Sequence, residues 1–291
     1  MVNRVGTVAD MEPGVGGRAA LRRCVLAVSV IQDLDLVPVD DGVIIGSGRL
    51  VPWETIQAGL GGHDPERPET RAILSSWLHA LGSVAWRSPD DLASRARPVG
   101  LPRGHSQHPG ASWVQSTIPG DVLDLGIGLL GIGTDPDEVV VLRPGLLEAC
   151  GHTPRSWWWP CLRYLEEMGE LAASRYHRNR LQPLRPMGDC DVVTLLGSGA
   201  FRRALVGGDS AGMRAAAMPT RRRGWLDLSR IDPAFALVAA TLADDHERGF
   251  DRPLLITAEE VVMARRGGDP VLQALRDAAP PDPVLPAVRY R

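Results

Sequence analysis

Apolar and polar residues alternate along the chain with a period that switches between helix-like and strand-like. From Arg18 the apolar residues recur at helical spacing, and a second amphipathic pattern follows Pro68, a residue that suits the first turn of a helix. A third pattern predicts a long helix over about 154–180. Between the first two, DLVPVDDGVIIG predicts two short strands joined by a turn at Asp40 and Asp41.

Strand-like runs dominate the stretch that follows the second helix. SWVQSTI, DVLDLGIGLLGI, DEVVVL and, further on, DVVTLL all predict strands, whereas LITAEEVVM fits neither type cleanly. Helices and strands mix without a regular βαβ alternation, no fixed repeat is visible, and no apolar run is long enough to cross a membrane. We therefore predict an α+β fold, with an irregular mixed α/β fold as the alternative, built as one compact unit or two lobes.

The same pattern suggests how the chain is divided. Residues 1–17 lack periodicity and predict a disordered lead-in, and residues 18–94 predict a lobe of helices and a hairpin. The polar, Pro- and Gly-rich residues 95–110 predict a loop. Residues 111–279 predict a mixed α/β lobe, and residues 280–291 an irregular tail.

The composition excludes several enzyme classes, because all 32 basic residues among the 291 are Arg. A genome rich in G and C favours Arg codons, which accounts for the use of Arg in place of Lys. Without Lys there is no Schiff-base nucleophile, no P-loop or kinase lysine, and no SxxK serine hydrolase. The four Cys are far apart in sequence and form no CxxC pair, which predicts reduced thiols in a cytoplasmic protein.

Two short patterns bear on cofactors and metals. Gly126, Gly128 and Gly131 spell GxGxxG after a strand-like run, but an acidic, Pro-containing stretch follows where a phosphate-binding helix would have to begin. His105 and His108 stand three apart in the predicted loop, with no third ligand nearby in sequence. We expect a glycine-rich strand turn, polar loop histidines, no cofactor and no metal.

The string Gly208-Asp209-Ser210-Ala211-Gly212 matches GxSxG. It resembles the GDSAG nucleophile elbow of esterases of the α/β-hydrolase type over about fifteen residues. That resemblance implies a strand before Ser210, a helix after it, and His246, the one histidine that follows, as the base. Without a second partner in sequence, the Ser210 hydroxyl is instead expected to cap the following helix.

Tryptophan and arginine suggest a contact surface. Three successive Trp cannot all face one helical core stripe, so we expect one exposed ring. Residues 151–230 carry 13 Arg against 7 acidic residues, within a chain of formal charge −3. The expected contact residues are Trp157, Trp158, Trp159, Arg178, Arg180, Arg221, Arg222, Arg223 and Trp225.

Our leading hypothesis from sequence is a non-enzymatic cytoplasmic protein that contacts a protein partner or a second copy of itself. A serine hydrolase based on Ser210 and His246 is the alternative. Nucleic-acid binding through the Arg-rich middle is a third possibility, although no nucleic-acid motif is present.

Overall fold

Helices and short strands follow one another irregularly in the computed structural model. It describes residues 15–264 except 47, 61–62, 134, 144, 150–155, 181–182 and 227–232. Within these ranges the chain forms nine α-helices and three antiparallel sheets with no evident repeat, which confirms the α+β class. No helix in this part of the chain combines the length and the hydropathy needed to cross a bilayer.

The N-terminal elements are a helix, a three-stranded sheet and three further helices. They are α1 (Val15–Ile31), β1 (Leu36–Val39), β2 (Gly42–Ile45), β3 (Arg49–Pro52), α2 (Trp53–Gly59), α3 (Pro68–Ala85) and α4 (Pro89–Arg95). Val39 pairs with Gly42, so the predicted Asp40-Asp41 turn is confirmed. The first helix begins three residues before Arg18, inside the predicted lead-in, and residues 1–14 lie outside the described part.

A second sheet forms the middle of the molecule, with strand order β4-β6-β5 and β7 paired to β6. Its strands are β4 (Ala96–Pro102), β5 (Ser116–Ile118), β6 (Leu123–Leu130) and β7 (Val139–Val141). Strand β4 is mostly buried, so the prediction of a loop over 95–110 is wrong for its first half.

The prolines of β4 explain this error. Gly100 donates its backbone N–H to Thr194 Oγ1 at 2.8 Å, away from β6. Pro98 and Pro102 occupy the same alternate positions, so their missing N–H groups remove no bond to β6.

The C-terminal half begins with a long helix. Its elements are α5 (Leu146–Ala149), α6 (Trp158–Arg178), α7 (Val192–Leu195), α8 (Gly199–Val206), β8 (Met213–Thr220), β9 (Arg223–Trp225), α9 (Pro233–Leu242), β10 (Leu254–Thr257) and β11 (Val261–Met263). The third sheet has the order β11-β10-β8-β9. The long predicted helix is confirmed over Trp158–Arg178, and residues 150–155 lie outside the described ranges.

Two sequence predictions in this half are wrong. DVVTLL forms the short helix α7 rather than a strand, because Asp191 caps it by accepting the Thr194 N–H at 2.7 Å. An apolar run buried on all sides has no period that distinguishes helix from strand. Around Ser210 the order is helix, turn, strand, which reverses the order that the esterase elbow implies.

Two clusters of buried apolar side chains share α6 and β6. In α6, Cys161 packs into the N-terminal cluster and Leu165 into the C-terminal one. In β6, Ile127 belongs to the first cluster and Leu125 to the second. These two elements therefore connect both halves of the chain.

Candidate functional site

A cleft of about 880 Å³ is lined by segments from both halves of the chain. One wall comes from α3, a second from β7 with the turn before it, and a third from residues 106–107. The remaining wall comes from the C-terminal segments 186–191, 221–222 and 245–247. These segments are far apart in sequence, so the cleft exists only in the folded chain.

Arg221 holds the C-terminal wall together. Its guanidinium forms a 2.6 Å ion pair with Asp191, and both side chains are largely buried. Its backbone N–H donates to the Glu247 carbonyl at 2.7 Å, while its own carbonyl accepts the Val192 N–H at 2.8 Å. The charge of Arg221 is therefore already neutralised, and this residue organises the wall.

Asp189, in the same wall, is also already paired. Arg97 donates its Nε–H to the Asp189 carboxylate at 2.6 Å, and the Tyr164 hydroxyl donates to the same oxygen at 3.2 Å. The Arg97 guanidinium in turn lies 5.0 Å from the centre of the Tyr164 ring. The Asp189 carboxylate therefore already has a charge partner and a hydrogen-bond donor within the protein.

Arg143 differs from both of these pairs. It lies two residues after the end of β7, is partly buried, and donates to the carbonyls of Gln107 at 3.2 Å and Gly59 at 3.5 Å. No carboxylate of the described residues forms an ion pair with it. Desolvation by burial lowers the pKa of Arg143 to about 10. The cleft therefore contains a guanidinium that has lost part of its hydration and gained no counter-charge.

The turn that precedes β7 carries the opposite charge. Asp135 and Asp137 are exposed, and Asp135 accepts the backbone N–H of Asp137 at 2.9 Å. Glu138 follows them and leads into the strand. In the part of the chain that the structure covers, no Arg or His pairs with these three acids. The charges at the two ends of β7 thus have opposite signs.

The loop after β4 is held in place by its two histidines. His105 Nδ1 accepts the Gln107 N–H at 3.1 Å and Nε2 donates to the Arg248 carbonyl at 3.1 Å. Burial, with a smaller contribution from the charge of Arg221, lowers the pKa of His105 to about 4, so the ring is neutral near pH 7.

His108 makes an equivalent pair of bonds. Its Nδ1 accepts the Gly110 N–H at 3.1 Å and its Nε2 donates to Asp124 at 3.2 Å. Asp124 is only 4% exposed and also bonds Arg103 and Thr117. All four ring nitrogens are thus used locally, and no described cluster of His, Cys, Asp and Glu is arranged to hold a metal.

Ser210 lies outside the cleft. It is exposed in the turn between α8 and β8, where Asp209 accepts the Ala211 N–H at 2.9 Å. The element that follows Ser210 is strand β8 and not a helix, so the expectation that its hydroxyl caps a helix is wrong. His246 is exposed in the C-terminal wall, and no hydrogen bond joins it to Ser210 within the described residues.

The tryptophan triplet divides as its spacing predicts. Trp157 is 8% exposed, Trp158 is half-buried and Trp159 is 73% exposed. Arg178, also exposed, lies at the other end of α6, about 28 Å from Trp159 along a helix of this length. Arg180 lies beyond it, so these arginines and the exposed ring do not form one compact patch.

The other predicted contact residues are divided between the cleft and a neighbouring surface. Arg221 and Arg222 line the cleft, and Arg222 lies 3.8 Å from Glu247. Arg223 is exposed on β9, and Trp225 packs against the buried Ala217 and Ala236. The strand predicted from DEVVVL is confirmed as β7, but Arg143 was not among the predicted site residues. The available signal was a lone Arg directly after the apolar run DEVVVL.

A comparison with protein-family models, curated proteins and solved structures finds no match to this chain. A fold by itself does not determine function, so the cleft and its side chains carry the functional information. Arg143 lines that cleft as a partly buried arginine that has no carboxylate partner among the described residues.

Proposed function

We propose that this protein acts by binding a partner protein, and that the cleft accepts an acidic group of that partner at Arg143. The supporting observation is the charge state of the cleft. Arg221 and Arg97 have carboxylate partners, whereas Arg143 bonds only two carbonyls. The proposal keeps the non-enzymatic, contact-based function expected from the sequence and moves the contact from the Trp triplet to the cleft.

A carboxylate suits Arg143 for two physical reasons. The planar guanidinium presents N–H donors in a fixed fork, which matches the two oxygens of a carboxylate. Partial burial strengthens such a pair, because fewer water molecules screen it. The desolvation reflected in the lowered pKa of Arg143 is a cost of folding that a bound carboxylate would offset on association.

Neighbouring groups support binding at this position. Gln107 and Gly59 fix the guanidinium through their carbonyls, so little side-chain freedom is lost when an acid binds. The volume of about 880 Å³ is within the range of established ligand clefts. A side chain of a partner together with its flanking backbone could therefore enter the cleft.

Thermal unfolding with small carboxylates as probes tests the proposal. The full chain is heated in glutarate or citrate and in chloride at the same ionic strength. A probe at ten times its Kd stabilises a protein by about 1.4 kcal/mol, which for a chain of this size raises Tm by about 2–4 °C.

The variants decide the result. Arg143→Met should abolish the Tm increase that carboxylates cause, and Arg49→Met, which changes an exposed arginine outside the cleft, should retain it. Equal increases in wild type and Arg143→Met, or no increase in wild type, would overturn the proposal.

A further inference from the structure

Strand β7 has one free edge. It pairs with β6 on one side only, with Val140 opposite Leu129, and no other described strand pairs with it. Leu142 donates to the Ile127 carbonyl at 3.0 Å, so residues 140 and 142 turn their backbone groups toward β6. By alternation, the N–H and C=O groups of Val139 and Val141 point away from β6.

These outward groups border the cleft. Residues 139–141 all line it and all are half-buried. The outward backbone groups of Val139 and Val141 form no hydrogen bond with any described residue. A row of unpaired donors and acceptors at a strand edge is the surface to which an extended peptide adds as a further strand.

The two ends of the β7 edge carry opposite charges. Glu138 and the acids before it stand at the start of the strand, and Arg143 stands two residues past its end. Five residue steps of extended chain separate Glu138 from Arg143, which is about 17 Å. A segment that matched both ends would carry an acid and a base about five residues apart.

From this edge and its charges we infer that the cleft binds an extended segment of the partner polypeptide, added as an antiparallel strand to β7. The segment's acidic residue pairs with Arg143, and its basic residue pairs with the acidic residues before β7, Asp135, Asp137 and Glu138. In an antiparallel pair the acid precedes the base in the partner's sequence. This inference rests on the proposed function and adds the backbone mode and the order of charges.

Blocked hexapeptides are the probes for the test. EVTVTK places the acid first and the base five positions later, and KVTVTE reverses the order. Fluorescence anisotropy with the labelled peptides measures Kd for the full chain. The inference predicts that EVTVTK binds at least about tenfold more tightly than KVTVTE. Equal or tighter binding of KVTVTE would overturn it.

N-methylation separates strand addition from binding by side chains alone. In a strand pair only alternate backbone N–H groups face the neighbour. Methylation of both Val nitrogens of EVTVTK and methylation of both Thr nitrogens should therefore differ, with one modified peptide losing binding and the other retaining it. Equal effects of the two modifications would contradict strand addition.

A protein variant tests the same point from the other side. Val139→Pro removes one outward backbone N–H and leaves the hydrogen bonds between β7 and β6 in place. Val139→Thr is the control, because it keeps this backbone N–H and its side chain has a similar shape. Binding of EVTVTK should weaken about tenfold in Val139→Pro and less than threefold in Val139→Thr. Equal binding to both variants would overturn the inference.

The two proposals can fail separately. If the carboxylate-induced rise in Tm depends on Arg143 but the peptides show no order or backbone effect, strand addition is wrong and the anion site remains. If the Tm response is absent, the proposed function itself is wrong.

Discussion

Replacing Arg143 with methionine should leave the protein at least as stable as it is now. Lowering the pKa from 12.5 to about 10 corresponds to at most about 3 kcal/mol less favourable ionisation in the folded state. The hydrogen bond to the Gln107 carbonyl at 3.2 Å offsets about 1–2 kcal/mol of this cost. We expect the free energy of unfolding of Arg143→Met to exceed that of wild type by about 0–2 kcal/mol.

Arg202 provides the matched comparison, because it is a buried arginine with a structural role. It donates to the carbonyls of Leu196 at 2.6 Å, Gly197 at 3.1 Å and Ala258 at 3.1 Å. Arg202→Met would leave these three acceptors without a donor, at about 1 kcal/mol each. We expect a loss of about 2–3 kcal/mol in the free energy of unfolding.

Urea unfolding followed by tryptophan fluorescence measures both values. The two arginines should differ in this assay, because Arg143 serves binding and Arg202 supports the fold. A loss of more than about 2 kcal/mol in Arg143→Met would show that Arg143 supports the structure, and the case for a binding role would fail.

Three further predictions use the same assay. The pKa of His105 is about 4 in the folded protein and 6.5 in the unfolded chain, so the unfolded chain binds the proton more readily. The neutral ring therefore contributes about 3 kcal/mol to the free energy of unfolding above pH 6.5, and this contribution is lost as the pH falls toward 4. His105→Asn should flatten that decline, and an unchanged slope would refute it. Ser210→Ala should change the free energy of unfolding by less than about 0.5 kcal/mol, and Asp209→Ala should lower it by about 1 kcal/mol; stoichiometric labelling of Ser210 by a fluorophosphonate probe would revive the hydrolase alternative. Trp159→Ala should be nearly neutral while Trp157→Ala costs about 3 kcal/mol, and comparable losses would mean that the ring of Trp159 is not free for contact.

Periodicity predicted the elements whose two faces differ. Helix α3 has one buried stripe that includes Leu74, Trp77 and Leu81, and the first hairpin has a polar two-residue turn. Periodicity failed as a guide where an element has no exposed face to contrast with its buried one. Strand β4 is mostly buried and contains prolines at outward positions, and α7 is buried throughout. In both, local composition was a poor guide because tertiary packing decided the structure.

The candidate site was less accessible to sequence reasoning than the fold. Its walls come from segments that lie as far apart in sequence as α3 and residues 245–247. A count of charges could not distinguish Arg143 from Arg221, since only the fold shows which of them has a carboxylate partner. The five-residue GDSAG string indicated a reactive serine, yet a helix precedes Ser210 and a strand follows it.

The most direct test of the account is the coupling between Arg143 and the acid of a bound segment. Kd is measured for EVTVTK and QVTVTK with wild type and with Arg143→Met, which gives a double-mutant cycle. If the acid binds at Arg143, replacing Glu by Gln should weaken binding about tenfold in wild type and leave it nearly unchanged in Arg143→Met. An equal effect of the replacement in both proteins would contradict the central claim that Arg143 receives the partner's acidic group.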